Sequence, residues 1–391
     1  MKTRFFRITA VMLAMAAVFA YNTGIASADK KEEDDLKVTA ESAILIEAYT
    51  GRVLYEKNAF EKMPMASTTK IMTAILAIEN CGLEDIVEVG PNASGVEGSS
   101  IWLSAGEKIQ LGDMLFGLML ASGNDAAVAI AEHVAGSVDK FVEMMNAKAK
   151  EVGAYNTHFS NPNGLPKDDH YTTAYDLAII SAYAMKNDFF RELVKTQYKT
   201  IPWEGHEWDR VVKNKNKILW QYEGGNGIKT GFTKSAGRCL SAAAQRDGLQ
   251  LISVVLGAPD MFGDCMKLMD MGFENYSSKL IVKKGEYIGD VAVKQGVIDG
   301  FPVYTQEDVY YPLTEEELGL IEKRVYLENE LDAPVAKGQN VGYIDIWLGS
   351  NQIRSVTLTA PESIGENSYK YNLGKILNGW LGGEPYMLTP G

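Results

Sequence analysis

The stretch that most constrains the fold of this 391-residue chain is Pro64 to Ile78, in which a polar Ser-Thr-Thr-Lys segment leads into an unbroken apolar run. A proline ahead of a small polar residue, then a run without glycine or proline, predicts a helix that begins near Ser67. Apolar residues fall on nearly every face of that helix, which indicates that it is buried. Ser67 and Lys70 are three residues apart and share one face, with the hydroxyl at the helix N-terminus. This arrangement favours a serine nucleophile with a lysine base beside it.

The same quartet also has an ordinary interpretation. A serine at a helix start is commonly an N-cap, and a lysine one turn later is commonly solvated. A Ser-x-x-Lys quartet is expected about once by chance in a chain of this length. It therefore indicates a serine enzyme only if further motifs accompany it.

The first 28 residues have the pattern of a secretory signal peptide. Three cations within the first seven residues precede an apolar run over residues 8–20, and an Ala-x-Ala cleavage site ends at Ala28. We therefore expect an exported protein, with residues 29–38 as a charged spacer. The formal net charge of −13 becomes more negative once the three cations are removed, so the composition excludes binding to nucleic acid.

The order of predicted elements indicates an α/β domain over residues 39–277. A β-hairpin with Gly51 at its turn opens the domain, helices fill its middle, and three antiparallel strands with a closing helix end it. We predict strands at 43–47, 52–56, 227–232, 238–245 and 249–256. We predict helices from 111, over 125–136, over 137–152, from 172 and over 262–276. Strands at both ends of the domain should complete one sheet.

Beyond the α/β domain the composition changes. Short β-branched runs with turn signals predict a small all-β sandwich over residues 278–366. The tail, residues 367–391, is predicted to form an amphipathic helix that could lie on a membrane surface or dock on the β domain. Its apolar residues follow helical spacing: Leu373, Ile376, Leu377, Trp380 and Leu381.

Cysteine and histidine give no sign of a metal or a cofactor. The chain has three cysteines, Cys81, Cys239 and Cys265. This number is small and odd, which argues against a disulfide framework. We interpret them as small hydrophobes and leave one disulfide pair open. The four histidines show no metal-ligand spacing, so neither a metal nor a cofactor is expected.

Two further short motifs follow in the chain. Ser122-Gly123-Asn124 lies at a predicted turn between helices, and Lys229-Thr230-Gly231 lies on a predicted strand. Each is expected by chance in about one of ten such chains, so all three motifs in this order are far rarer. The trio occurs in penicillin-binding proteins and class A β-lactamases.

With the signal peptide and the trailing β domain, these motifs closely resemble the low-molecular-mass penicillin-binding proteins that are D-alanyl-D-alanine carboxypeptidases. The resemblance covers about residues 39–366 and extends to Asn161-Pro162-Asn163-Gly164-Leu165 and Asn226-Gly227-Ile228. It implies a penicillin-binding/β-lactamase-like transpeptidase fold, with an antiparallel sheet and a helical subdomain, followed by the all-β sandwich. It also implies removal of the last D-alanine from peptidoglycan stem pentapeptides, outside the cytoplasm at the cell wall, with β-lactams as covalent inhibitors.

The resemblance and the chemistry assign the same catalytic roles. Ser67 attacks the penultimate D-alanine carbonyl, and Lys70, desolvated beside a second lysine, takes the serine proton. Ser122 relays a proton to the leaving amine. Asn124 holds the substrate backbone and orients Lys70.

The third motif is expected to bind substrate. Lys229 and the Thr230 hydroxyl should meet the terminal carboxylate of the substrate. Gly231 should let the substrate strand lie close to the sheet edge. The backbone N–H groups of Ser67 and Phe232 would form the oxyanion hole.

Several positions depart from relatives. Gly123 replaces the aspartate of many β-lactamases, and the loop from Ser160 to Asp169 offers no glutamate to activate a deacylating water, so a penicillin adduct should persist. Phe232 replaces a polar residue, which leaves the contacts beside it open. Arg238 could assist carboxylate binding or serve a structural role.

Two other functions stay open at this point. A D,D-endopeptidase that cuts peptidoglycan cross-links would use the same residues. A non-catalytic cell-wall or β-lactam-binding protein would be expected to have lost Ser67 or Lys70.

Overall fold

The computed structural model describes residues 36–203 and 205–381. The predicted signal peptide, nearly all of the spacer and the last ten residues of the tail lie outside these ranges. The residues from Thr39 onward belong to one compact unit. Within the described residues, no helix is long and apolar enough to cross a membrane.

The first part of the chain alternates strands with helices. Its strands are β1 (Ser42–Glu47), β2 (Val53–Lys57), β3 (Ile86–Glu88), β4 (Lys108–Gln110), β5 (Tyr198–Ile201), β6 (Arg210–Lys213), β7 (Gly225–Thr233), β8 (Gly237–Arg246) and β9 (Leu249–Leu256). Its helices are α1 (Lys70–Asn80), α2 (Leu111–Leu120), α3 (Asn124–Ala135), α4 (Val138–Glu151), α5 (Ala174–Ala184), α6 (Asp188–Lys195), α7 (Ile218–Gln221) and α8 (Met261–Asn275).

A five-stranded antiparallel sheet forms the centre of this part, in the order β2-β1-β9-β8-β7. Strand β1 is wholly buried because it pairs with β2 on one side and with β9 on the other. The prediction that both ends of the domain complete one sheet is therefore confirmed. Strand β7, which carries the Lys-Thr-Gly motif, pairs only with β8 in this sheet and lies at its edge.

The predicted helix near Ser67 is present, but its start differs from the prediction. Ala66–Thr69 form a 3-10 turn and the α-helix begins only at Lys70, so Ser67 is not an N-cap. The backbone explains the tight turn: Ala66 has a φ of 48°, and Gly164 packs directly against it. Residues 70–77 of α1 are all buried, as the apolar run predicts.

The prediction missed four elements between residues 186 and 227. Helix α6 has its apolar residues on one face, and β5 and β6 pair as a short hairpin. Helix α7 is a single turn. Short, charged strands such as Arg210–Lys213 give little apolar alternation, which is why the sequence pattern does not show them.

The second part has its own hydrophobic core and is mostly strand, as predicted. Its elements are β10 (Ser277–Val282), β11 (Tyr287–Lys294), β12 (Gly300–Tyr304), β13 (Val309–Leu313), α9 (Glu315–Leu318), β14 (Ile321–Leu327), β15 (Glu330–Asp332), β16 (Asn340–Leu348), β17 (Asn351–Thr359) and α10 (Tyr369–Leu381). They form small sheets around buried valine, isoleucine and phenylalanine residues between 282 and 364.

Helix α10 confirms the predicted helical tail as far as Leu381. Its apolar side chains face solvent: Leu373, Ile376 and Leu377 are 42%, 58% and 48% exposed, and Trp380 is 87% exposed. For these four residues, the structure therefore does not show the alternative, in which the apolar stripe docks on the β domain.

Candidate active site

The Ser-Thr-Thr-Lys and Ser-Gly-Asn motifs meet at the start of α1. The Lys70 side chain is wholly buried, and its Nζ lies 3.1 Å from Ser67 Oγ. The same Nζ donates to Asn124 Oδ1 at 2.7 Å and to the Asn163 carbonyl at 2.5 Å. A neutral amine has two N–H groups and one lone pair, so these two acceptors leave the lone pair for the Ser67 hydroxyl. The arrangement fits a lysine that acts as a base.

The electrostatics of the site favour neutral lysines. Burial lowers the pKa of Lys70 far below its usual value, and the charges of Lys229 and Lys215 lower it further. Burial, with a smaller contribution from Lys215, also lowers the pKa of Lys229, to about 7. The neutral form is therefore favoured at both buried amines, and it is the form that a general base requires.

The predicted Ser122 and Asn124 lie where the helices α2 and α3 join. Ser122 is buried and has a φ of 65°, a left-handed conformation that is unusual for a serine. Asn124 is held by a neighbouring loop: its N–H donates to the Ser99 carbonyl at 2.7 Å, and its Nδ2 donates to the Glu97 carbonyl at 2.5 Å. Its amide oxygen is thereby fixed toward Lys70.

Asp125 is a supporting residue that the sequence reasoning missed. Its buried carboxylate accepts from Ser100 Oγ at 2.5 Å and from the N–H groups of Ile101 and Leu103, both within 3.1 Å of one oxygen. These bonds fix the loop that holds Asn124. The loop also presents Trp102, which is 74% exposed and has a φ of 62°.

Strand β7 brings the third motif to the serine. Lys229 is buried and its Nζ donates to the Thr230 carbonyl at 3.1 Å. Thr230 is half-buried, and Phe232 is 64% exposed. A Cβ at Gly231 would lie 3.0 Å from the Ser67 nitrogen. Gly231 therefore makes room for the Ser67 turn, a reason that the sequence did not suggest.

The loop over residues 160–170 supplies further contacts to the start of α1. His170 is buried; its Nδ1 accepts from the Ser160 N–H at 3.0 Å, and its Nε2 lies 2.8 Å from Thr69 Oγ1. Burial lowers the pKa of His170 to about 4, so the ring is neutral at pH 7. The Gly164 φ of 89° and its contact with Ala66 require a residue without a side chain.

Two cations near β7 have different environments. Arg238 Nη1 donates to the Pro259 carbonyl at 2.8 Å, which is a structural contact. Lys215 was not among the predicted site residues, although its charge lowers the pKa of both buried lysines and its Nζ donates to Ser99 Oγ at 3.1 Å. No residue spacing in the sequence points to Lys215.

The three cysteines are all free, and Cys239 and Cys265 are buried, in line with their interpretation as small hydrophobes. The disulfide that the sequence left open is not formed. Cys81 is only half-buried and lies at the end of α1.

Comparison with known proteins gives a consistent result along the chain. Residues 28–260 match the family model of the D-alanyl-D-alanine carboxypeptidases, and residues 276–366 match that of the penicillin-binding protein 5 C-terminal domain. The D-alanyl-D-alanine carboxypeptidase DacF of Bacillus subtilis is 33% identical, over 92% of this chain and 94% of its own length.

Solved structures give the same picture. Penicillin-binding protein 5 from Haemophilus influenzae has a TM-score of 0.72 and is 29% identical, over 84% of this chain and 98% of that one. A peptidoglycan synthesis regulatory factor (PBP3) from Streptococcus pneumoniae has a TM-score of 0.71 and is 25% identical, over 84% of this chain and all of that one.

Proposed function

We propose a mechanism at the level of residues, from the premise that this chain belongs to the D-alanyl-D-alanine carboxypeptidase family of penicillin-binding proteins. The protein is a serine-type D-alanyl-D-alanine carboxypeptidase, and the acyl-enzyme mechanism is typical of the family. The proposal concerns which groups carry the reaction. It rests above all on the distance of 3.1 Å between Nζ of the wholly buried Lys70 and Ser67 Oγ.

Acylation begins with proton transfer from Ser67 to neutral Lys70. Oγ attacks the carbonyl carbon of the penultimate D-alanine, and the backbone N–H groups of Ser67 and Phe232 donate hydrogen bonds to the carbonyl oxygen, on which negative charge develops. The C–N bond to the last D-alanine then breaks. The proton that Lys70 took from Ser67 passes through the Ser122 hydroxyl to the leaving amine. Lys229 and Thr230 hold the carboxylate of that D-alanine.

Water then hydrolyses the ester on Ser67 and releases the shortened peptide. A penicillin forms the corresponding ester, but its leaving amine stays attached to the adduct. Because the loop from Ser160 to Asp169 contains no glutamate that could activate a water, we expect this adduct to persist.

Intact-mass measurement tests the assignment. We expect benzylpenicillin to add one adduct to the protein and a D-Ala-D-Ala-ended peptide to lose one D-alanine, and both results to vanish in Ser67→Ala. Ser235→Ala, at an exposed serine close to β7, is the matched control and should behave as the wild type. An adduct that survives in Ser67→Ala would refute the assignment of the nucleophile. An adduct without D-alanine release would instead favour the endopeptidase, which a cross-linked peptide dimer would reveal.

We also propose where the enzyme acts and how its parts divide. Residues 1–28 direct export, residues 39–277 form the catalytic domain and residues 278–366 form the β domain, in keeping with the separate cores and the two family matches. The exposed apolar side chains of α10 support attachment of residues 367–391 to the outer face of the cytoplasmic membrane. Equal binding to lipid vesicles with and without residues 367–391 would refute the attachment.

A further inference from the structure

The far ends of the two helices that carry catalytic groups also lie together. Helix α1 begins at Lys70 and α3 begins at Asn124, so both helices start at the active site. Helix α1 ends at Asn80 with Cys81 as its C-cap residue, and the last turn of α3 contains His133. Helices of 11 and 12 residues are about 16–18 Å long, which separates this second location from the serine.

Three side chains with metal-binding atoms meet there. The Cys81 sulfur, a carboxylate oxygen of Asp85 and a ring nitrogen of His133 all lie within 4.8 Å of one another. Around a tetrahedral zinc ion the same atoms would stand about 3.3–3.7 Å apart. Cys81 and His133 are half-buried and Asp85 is exposed, so rotation of these side chains can close the difference.

The surrounding backbone favours a cation at this point. The C-terminal ends of α1 and α3 both carry partial negative charge, and Cys81 and His133 lie at these two ends. The Gly82 N–H donates to Asp85 Oδ2 at 2.9 Å, which holds the carboxylate beside Cys81 and leaves Oδ1 without that bond. A Cβ at Gly82 would lie 3.1 Å from Oδ1, so glycine gives the carboxylate its room.

We propose that Cys81, Asp85 and His133 form a site for a divalent transition-metal ion of the zinc type. Thiolate, imidazole and carboxylate are the ligands that zinc takes in proteins, and a water molecule would complete a tetrahedron. On binding, the Cys81 thiol gives its proton to solvent and the sulfur forms the bond to the metal. The ion joins the ends of α1 and α3 and thereby stabilises the pair of helices that places Lys70 and Asn124.

Cobalt titration of the reduced, metal-free protein tests the site. We expect a thiolate-to-cobalt charge-transfer band in the near ultraviolet, which added zinc abolishes, and no such band in Cys81→Ser. Zinc affinity should fall at least about tenfold in Cys81→Ser and in His133→Asn, since loss of even an outer-shell partner costs that much. The matched control is His158→Asn, which removes an exposed histidine beside Asp169 and should bind as the wild type does.

Thermal unfolding gives a second readout. Zinc should raise the Tm of the wild type and of His158→Asn, and leave that of Cys81→Ser unchanged, because the ion binds the folded site. The rate of penicillin acylation at Ser67 should be the same for the wild type, His158→Asn and Cys81→Ser. A wild type without a charge-transfer band, a band that persists in Cys81→Ser, or a Tm that zinc does not raise would overturn the proposal.

Discussion

Replacing Lys229 with methionine should stabilise the fold at neutral pH although it removes the cation that we propose binds the substrate carboxylate. Lys229 is buried, its pKa is lowered from 10.5 to about 7, and its Nζ donates a hydrogen bond to the Thr230 carbonyl. Each pKa unit corresponds to about 1.4 kcal/mol, so the charged form costs about 5 kcal/mol of folding free energy. Methionine has a similar volume and carries no charge, so it avoids this cost.

The sign of the pH dependence follows from proton binding. Between pH 7 and pH 10.5 the unfolded lysine holds a proton that the folded one has lost, so the wild type gains stability as the pH rises. Below pH 7 both states are charged, and the full cost remains. From pH 7 to pH 9 the stability advantage of Lys229→Met should therefore shrink by about 2 kcal/mol. This value is a lower bound, because removal of the Lys229 charge also raises the pKa of Lys70 and so weakens the rise of the variant's own stability with pH.

Urea unfolding of the wild type and Lys229→Met at pH 7 and pH 9 measures this difference. Lys234→Met makes the same chemical change at an exposed position of the next turn and should show no comparable pH dependence. A Lys229→Met protein that is less stable than the wild type at pH 7, or an advantage that is equal at both pH values, would refute the reasoning. Loss of D-alanine release in the same variant is expected in either case.

Three further predictions concern groups around the two lysines. His170 should cost the wild type about 2 kcal/mol of stability between pH 7 and pH 4.5 in urea unfolding, because its ring takes up a proton in the unfolded state near pH 6.5 but stays mostly neutral in the folded state, where its pKa is about 4. His170→Asn should lose less stability over this range, and an equal loss would contradict this role. Lys215→Met should raise the pKa of Lys70 and so shift the pH profile of penicillin acylation to higher pH. The control Lys217→Met should leave the profile unchanged. An unchanged profile in Lys215→Met would count against an electrostatic effect of Lys215 on Lys70. Asp125→Asn should lower the free energy of unfolding by about 2–3 kcal/mol in urea, because an amide group cannot accept all the hydrogen bonds that the carboxylate accepts. The control Asp139→Asn, at an exposed position, should lower it little. Equal losses would show that the loop does not depend on the Asp125 charge.

The sequence predicted best those helices and strands whose apolar side chains recur at regular spacing. The run that follows Ser67 predicted a buried helix, and the structure places all of residues 70–77 in the core. The alternation around Gly51 and in residues 227–256 likewise predicted the strands of the central sheet. These patterns report burial, and burial decides where such elements pack.

Contacts made by backbone groups left no comparable signal. The carbonyl of Asn163 accepts from Lys70, and any residue type would offer the same group. The 3-10 turn at Ala66–Thr69 depends on the approach of Gly164, which is about 100 positions away in the chain. Lys215 likewise reaches the site through the fold rather than through a motif. Sequence motifs thus predicted the groups assigned to the reaction, while their supports depend on tertiary structure.

The order of strands in the central sheet has a consequence for how the chain folds. Ala43 in β1 pairs with Val255 in β9, so the innermost pairing joins residues on opposite sides of the whole helical subdomain. Pairing over such a separation is slow, because the entropy of closing a long loop must be overcome before the contact forms. While a chain is being synthesised from its N-terminus, the inner edge of β1 has no partner until residues 249–256 have emerged. The sheet that positions Ser67 and Lys229 is therefore completed only after nearly two thirds of the protein has been made.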